Sequence, residues 1–290
     1  MTRLLIVAGL TAVIHAINTL VYGVRLAGVR TRRLATAISL FNIIFLISST
    51  ANLIQAPLLS SLVERAINAG LKEAAEGGAA ADILASALYQ QQLAILAHDM
   101  RLVIVAASIG TAIGAFLIPP FVTLFARMIM LFDEVGSVPR LIIMILVSPR
   151  RLIRYLRRLQ LPRADILARA RGKPLPLPRM FLFMNMIVTG IYTIGVLSAL
   201  YAGALFPAYR GTAILLSGIV NGIATVMIAT IIDPTAAKIT DQALCGERPE
   251  GHVKNMVLYL TVTRFLGTVL AQVFFIPAAL LIRYVTQIIV

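Results

Sequence analysis

The chain has 290 residues, 59% of them apolar and only 13% charged, which leaves too little polar surface to cover a water-soluble domain of this size. A net charge of +14 would suggest nucleic acid in a soluble protein; in a chain this apolar it belongs at a membrane surface, and no nucleic-acid partner is expected. A single cysteine, Cys245, excludes an internal disulfide and a cysteine metal cluster.

A hydrocarbon core about 30 Å thick takes about 20 apolar residues per helical crossing. Six runs meet that length: 4–22, 34–56, 102–125, 180–202, 212–232 and 255–285. Segments in lipid must satisfy their backbone hydrogen bonds internally, and barrel strands would be shorter and alternating. The expected fold is therefore all-α, a polytopic transmembrane helix bundle forming a single domain over residues 1–290. Arg3 and the run Leu4–Ile14 resemble the start of a secretory signal. The run continues through His15 and Asn18 to Tyr22 without a small-residue cleavage site, so it is read as the first membrane helix.

Pro57 is expected to stop the second helix, leaving residues 60–76 as a separate short amphipathic helix that ends at Gly77 and Gly78. Asp82 is placed to cap a third helix reaching Phe116, about 52 Å long at 1.5 Å per residue and projecting beyond the outer surface. Pro119 and Pro120 are expected to kink it near its cytoplasmic end. The apolar stretch Leu141–Val147 is too short to cross; with Pro149 and the arginine-rich Arg150–Arg158 it fits a helix lying in the interface. Lys173–Pro178, with three prolines, reads as an extended linker. The last run exceeds a perpendicular crossing and contains Pro277, so it tilts, kinks or protrudes. Gly110 with Gly114, and Gly218 with Gly222, form GxxxG pairs suited to close helix approach.

Arg25, Arg30, Arg32 and Arg33 lie in the first connection, twelve basic residues lie in 127–179, and Lys238, Arg248 and Lys254 lie in the fifth connection, together 19 of the 26 Lys and Arg. The second connection, about 58–100, is slightly acidic, and the fourth carries only Arg210. The positive-inside rule then puts the odd connections in the cytoplasm, with 127–179 as a basic cytoplasmic loop, 58–100 extracytoplasmic and both termini outside. Anionic lipid headgroups are the expected partners of the basic face. A homo-oligomer is compatible with this layout.

His15, Asn18, Tyr22 and Arg25 follow at steps of three, four and three, a polar stripe from mid-membrane to the cytoplasmic mouth. Asn42, Ser49, Asn52 and Gln55 form a comparable face on the second helix. Polar side chains of this kind either join helices by hydrogen bonds, worth roughly 1 kcal/mol each, or line a path. Arg264 is the deepest ionisable residue, at a cost of about 3 kcal/mol or more on insertion scales. Asp233 or a bound phosphate would answer it, and Arg25, Arg30 and Arg264 together are suited to neutralise a diphosphate.

No HExxH, GxSxG, GxxxxGK[ST] or aspartate-rich motif occurs, so no catalytic residue, metal or cofactor is assigned and an enzyme is the weaker class. A small-solute or ion-coupled transporter and a scaffold with a basic loop remain alternatives at this stage.

The segment RLAGVRTRRLATAISLFNIIFLISSTANLIQAP, from Arg25 to Pro57, with IHAINTLVYGVR before it, resembles the Amj family of bacterial membrane proteins, alternate lipid II flippases. The resemblance implies a multi-pass protein of the bacterial cytoplasmic membrane that moves an undecaprenyl-diphosphate-linked peptidoglycan precursor between leaflets. It supplies no family-defined catalytic residues. By residue type alone, Asn18, Arg25, Asn42, Asn52, Gln55, Asn185, Asn221 and Arg264 are the candidates for contacting such a headgroup, beside His15, Arg30 and Asp233.

Overall fold

The computed structural model describes residues 2–76, 83–137 and 177–290. Its elements are α1 (Thr2–Thr31), α2 (Leu34–Glu76), α3 (Ala87–Val135), α4 (Arg179–Leu205), α5 (Arg210–Met227), α6 (Asp233–Leu244) and α7 (Glu250–Ile289). Short 3-10 turns lie at Ile83–Ala85 and Pro207–Tyr209, and a π-helical segment, Ile228–Ile232, joins α5 to α6. There is no strand among the described residues. Six helical stretches are long and apolar enough to cross a membrane, the fifth being the continuous Pro207–Leu244. The fold is an all-α polytopic bundle.

The prolines bend expectations more than they break helices. Pro57 does not end α2, and residues 60–76 are not a separate helix, because α2 runs unbroken to Glu76. Its buried stripe Gln55, Leu59, Val63 and Ile67 keeps a four-residue step across the proline, so packing against α3 outweighs one lost backbone hydrogen bond. Likewise α3 continues through Pro119 and Pro120 to Val135, and α7 through Pro277. The start of α3 is capped by Ser86, whose hydroxyl accepts the Tyr89 N–H at 3.2 Å. Asp82, Gly77 and Gly78, the interfacial helix at 141–158 and most of the linker at 173–178 lie outside the described residues; Leu177 and Pro178 are non-helical, Pro178 in an extended conformation.

α1 packs along α3 and α2, α7 packs along α4, and α5 rests against α4. α7 also meets α3 and α1, which joins the two groups. Both large seams depend on backbone approach. A Cβ at Gly110 would overlap the Ala12 carbonyl oxygen, and one at Gly114 would come within 2.6 Å of the Ala16 carbonyl oxygen. A Cβ at Gly267 would overlap the Met186 carbonyl oxygen across the α4–α7 seam. Gly218 and Gly222 have open space around them instead, so this GxxxG pair joins no helix among the described residues.

The apolar interior is divided along the bundle. One cluster gathers Tyr22, Leu40, Phe125, Ile129, Phe181 and Met256 at the end carrying the basic α1–α2 turn. The other gathers Val7, Val63, Tyr89, Leu96, Leu200 and Phe275 at the opposite end. Large apolar side chains such as Leu53, Leu215, Val226 and Val273 cover the outside, which only lipid can solvate favourably.

Candidate functional site

Between the two clusters each helix of the core turns polar. In chain order these positions are Thr11, His15, Asn18 and Thr19 on α1, Ser48 and Gln55 on α2, Thr111 on α3, Thr189 on α4, and Thr261, Arg264 and Thr268 on α7. Most of the threonines are satisfied within their own helices: Thr11, Thr19, Thr111 and Thr261 donate to the carbonyl four residues back at 2.7–2.8 Å. Two bonds tie α2 to α1, Gln55 Nε2 donating to Thr11 Oγ1 at 2.5 Å and Ser48 Oγ to Asn18 Oδ1 at 3.3 Å.

His15 is buried, and its Nδ1 stands 3.5 Å from Thr111 Oγ1 on α3. Arg264 lies on the last helix, α7, which packs against both α1 and α3. Arg264 Nε is itself buried and makes no hydrogen bond. Thus α1 and α3 bring an imidazole and a hydroxyl together at mid-bundle, and α7, which meets both helices, carries a buried guanidinium nitrogen without a partner. Thr111 escapes a search for charged or amide residues; its place between Gly110 and Gly114, on the face that meets α1, was the available signal.

The other arginines are placed differently. Arg25 forms an ion pair with Asp233 at 2.9 Å, linking α1 to the first residue of α6. Arg30 pairs with Glu250 at 2.5 Å, at the first residue of α7. Asp233 therefore answers Arg25, not Arg264, and the three arginines are not brought to one site. Asp233 follows the π-helical turn, where its N–H bonds to the Ile228 carbonyl; Pro234 behind it has no N–H to continue the regular ladder.

Asn185 is buried with every bond used: it accepts from Tyr22 Oη at 2.9 Å and donates to the Leu260 carbonyl at 3.0 Å and Thr263 Oγ1 at 2.8 Å. It locks α1, α4 and α7 together. Asn221 presses its Oδ1 against Gly195 on α4, and that oxygen has no hydrogen-bond partner. Asn42 and Asn52 are exposed on α2, away from the buried stripe containing Ser48 and Gln55. Sequence reading also passed over a clasp between α3 and α7. Arg101 Nη1 donates to the Gln272 carbonyl and Gln272 Nε2 to the Arg101 carbonyl, both at 2.9 Å, while Arg101 lies 5.9 Å from the Phe275 ring centroid. No group of three metal-binding side chains occurs among the described residues.

A bundle of six membrane-length helices, apolar outside and at both ends of its core but polar across its middle, is a multi-pass membrane protein with an interior built to meet polar groups. The sequence profile of the family described as "Amj: Alternate to MurJ" matches residues 10–286, and the chain belongs to that family. It is 34% identical over 286 residues, 99% of this chain and 97% of the relative, to the Bacillus subtilis (strain 168) protein named "Lipid II flippase Amj". No solved structure matches the chain.

Proposed function

We propose that the protein is a lipid II flippase of the bacterial cytoplasmic membrane, carrying the undecaprenyl-diphosphate-linked peptidoglycan precursor from the inner to the outer leaflet. The observation that carries this reading is the 34% identity, across 99% of the chain, to a protein of that name. The geometry supports it on physical grounds. The precursor's tail remains in hydrocarbon while its sugar, peptide and diphosphate need polar groups inside the membrane, and the bundle interior holds amide, hydroxyl, imidazole and guanidinium groups.

The basic turn with Arg25, Arg30, Arg32 and Arg33 faces the cytoplasm in this reading, both termini lie outside, and the hairpin of α2 and α3 projects from the outer surface. Its arms touch where Tyr89 covers Gly70 and Gln92 Nε2 donates to Glu73 at 3.1 Å. The basic loop at 127–179 rests on anionic lipids. In this reading the protein is a transporter and not an enzyme. The test is to deplete the resident lipid II flippase of a bacterial host, express this protein, and measure growth with lipid II accessible from outside. Restored growth with restored outer-leaflet lipid II is expected; no rescue by protein verified in the membrane would refute the reading.

A further inference from the structure

The periodicity of α7 determines where Arg264 points. Leu260, Thr261, Gly267, Thr268 and Ala271 form its buried face, while Val262, Phe265, Leu266 and Val269, 38–47% exposed, form the lipid face. Arg264 lies in the centre of the buried face. To one side Leu260, Thr263 and Gly267 meet α4; to the other Gln272 and Phe275 meet Arg101 on α3. α1 also meets α7, and it carries the buried His15, whose Nδ1 stands 3.5 Å from Thr111 Oγ1 on α3.

Arg264 nevertheless keeps partial accessibility in the middle of this buried face. The lipid side of the helix is occupied by apolar residues instead. Its Nε has no hydrogen-bond partner, and no carboxylate among the described residues forms an ion pair with it. At the basic end, Asp233 and Glu250 are already taken by Arg25 and Arg30. A cation held in a desolvated interior without a counterion is a site awaiting an anion, and guanidinium matches tetrahedral oxyanions through paired N–H donors.

We infer that Arg264, faced by His15 and Thr111, forms a phosphate-binding site at the centre of the bundle and holds the diphosphate of a polyprenyl-linked substrate midway through its passage. The substrate rests on the flippase reading; the anion chemistry does not. Arg264 takes the phosphate oxygens, and His15 and Thr111 supply the polar side chains that shape the site.

The full-length protein in detergent would be treated with an arginine-specific glyoxal, alone, with inorganic pyrophosphate, or with a short-chain polyprenyl diphosphate. Modification of Arg264 and Arg101 would be read by peptide mass spectrometry. Arg264 is expected to react and to be slowed several-fold by diphosphate, with Arg101 unaffected. Slowing by both ligands marks a site for the diphosphate itself, and slowing by the polyprenyl form alone marks one that also requires the lipid. Equal Arg264 rates in all three arms, or no Arg264 modification in any, would overturn the site. In parallel, R264Q should lose the pyrophosphate-dependent rise in melting temperature and R264K should retain part of it. If R264Q does not fold, the wild-type footprint still decides. Wild-type rescue of flippase depletion by R264Q would overturn the site and leave the flippase reading intact. Failure of the wild-type protein to rescue, with the footprint positive, would do the reverse.

Discussion

Asn185 illustrates what a single amide does in lipid. Its three hydrogen bonds reach Tyr22, Leu260 and Thr263, so truncation unties α1 and α7 from α4 and strands the Tyr22 hydroxyl where water is scarce. At an average of about 0.6 kcal/mol per interhelical bond in membranes, with a maximum near 1.7, Asn185→Ala is expected to cost about 2 kcal/mol. Thermal unfolding in detergent would reveal it as a clear fall in melting temperature. Arg32 presents the opposite case. It ends the α1–α2 turn with φ 55, a left-handed conformation that glycine adopts freely, while Arg33 N–H returns to the Gly28 carbonyl at 2.9 Å. Arg32→Gly should raise stability by about 1 kcal/mol, read as a higher melting temperature in the same assay. Residue type suggested that Asn185 matters; its partners, 163 and 75 positions away for Tyr22 and Leu260, were not legible.

At the scale of elements, identical GxxxG motifs have opposite roles. Replacing glycine by alanine in a helix gains up to about 1 kcal/mol of intrinsic propensity. Gly218→Ala, with open space around it, should therefore be neutral or stabilising. Gly110→Ala must push α3 off the Ala12 carbonyl, and overpacking of this kind costs about 1–3 kcal/mol or more. Comparing the two melting temperatures tests the α1–α3 seam directly; an unchanged Gly110→Ala would contradict the crossing. The Arg25–Asp233 pair belongs to this scale too. Its side chains are 18% and 56% exposed, so it contributes at most about 1 kcal/mol to stability. It ties α1 to the residue that follows a π-helical turn, an element often found at functional sites. Asp233→Asn is expected to change externally accessible lipid II more than it changes melting temperature, and the reversal R25D with D233R should restore part of the loss.

For the whole molecule the arrangement of charge makes a topological statement. Cys245 is the chain's single cysteine and stands exposed at the end of α6, beside the basic turn of α1 and α2. With that end in the cytoplasm, a membrane-impermeant maleimide should leave Cys245 unlabelled in intact cells and label it after permeabilisation. Labelling of intact cells would invert the orientation.

The six crossings, the all-α class and the basic end were legible in sequence because lipid imposes a length and a hydropathy on each segment independently of the others. The fate of the prolines was not, since continuation through Pro57 depends on the face that Leu59, Val63 and Ile67 present to another helix. The same limit governs the polar residues. Composition marks Arg264, Arg25, Arg30 and Asp233 as costly in a membrane, but each cation's partner is decided by which helices cross at which height. Only the tertiary structure pairs Arg25 with Asp233 and Arg30 with Glu250, exposes Asn42 and Asn52, and leaves Arg264 Nε buried without a hydrogen-bond partner. Hydropathy is a property of each segment, whereas electrostatic pairing falls off within a few ångströms and exists only once the segments are packed.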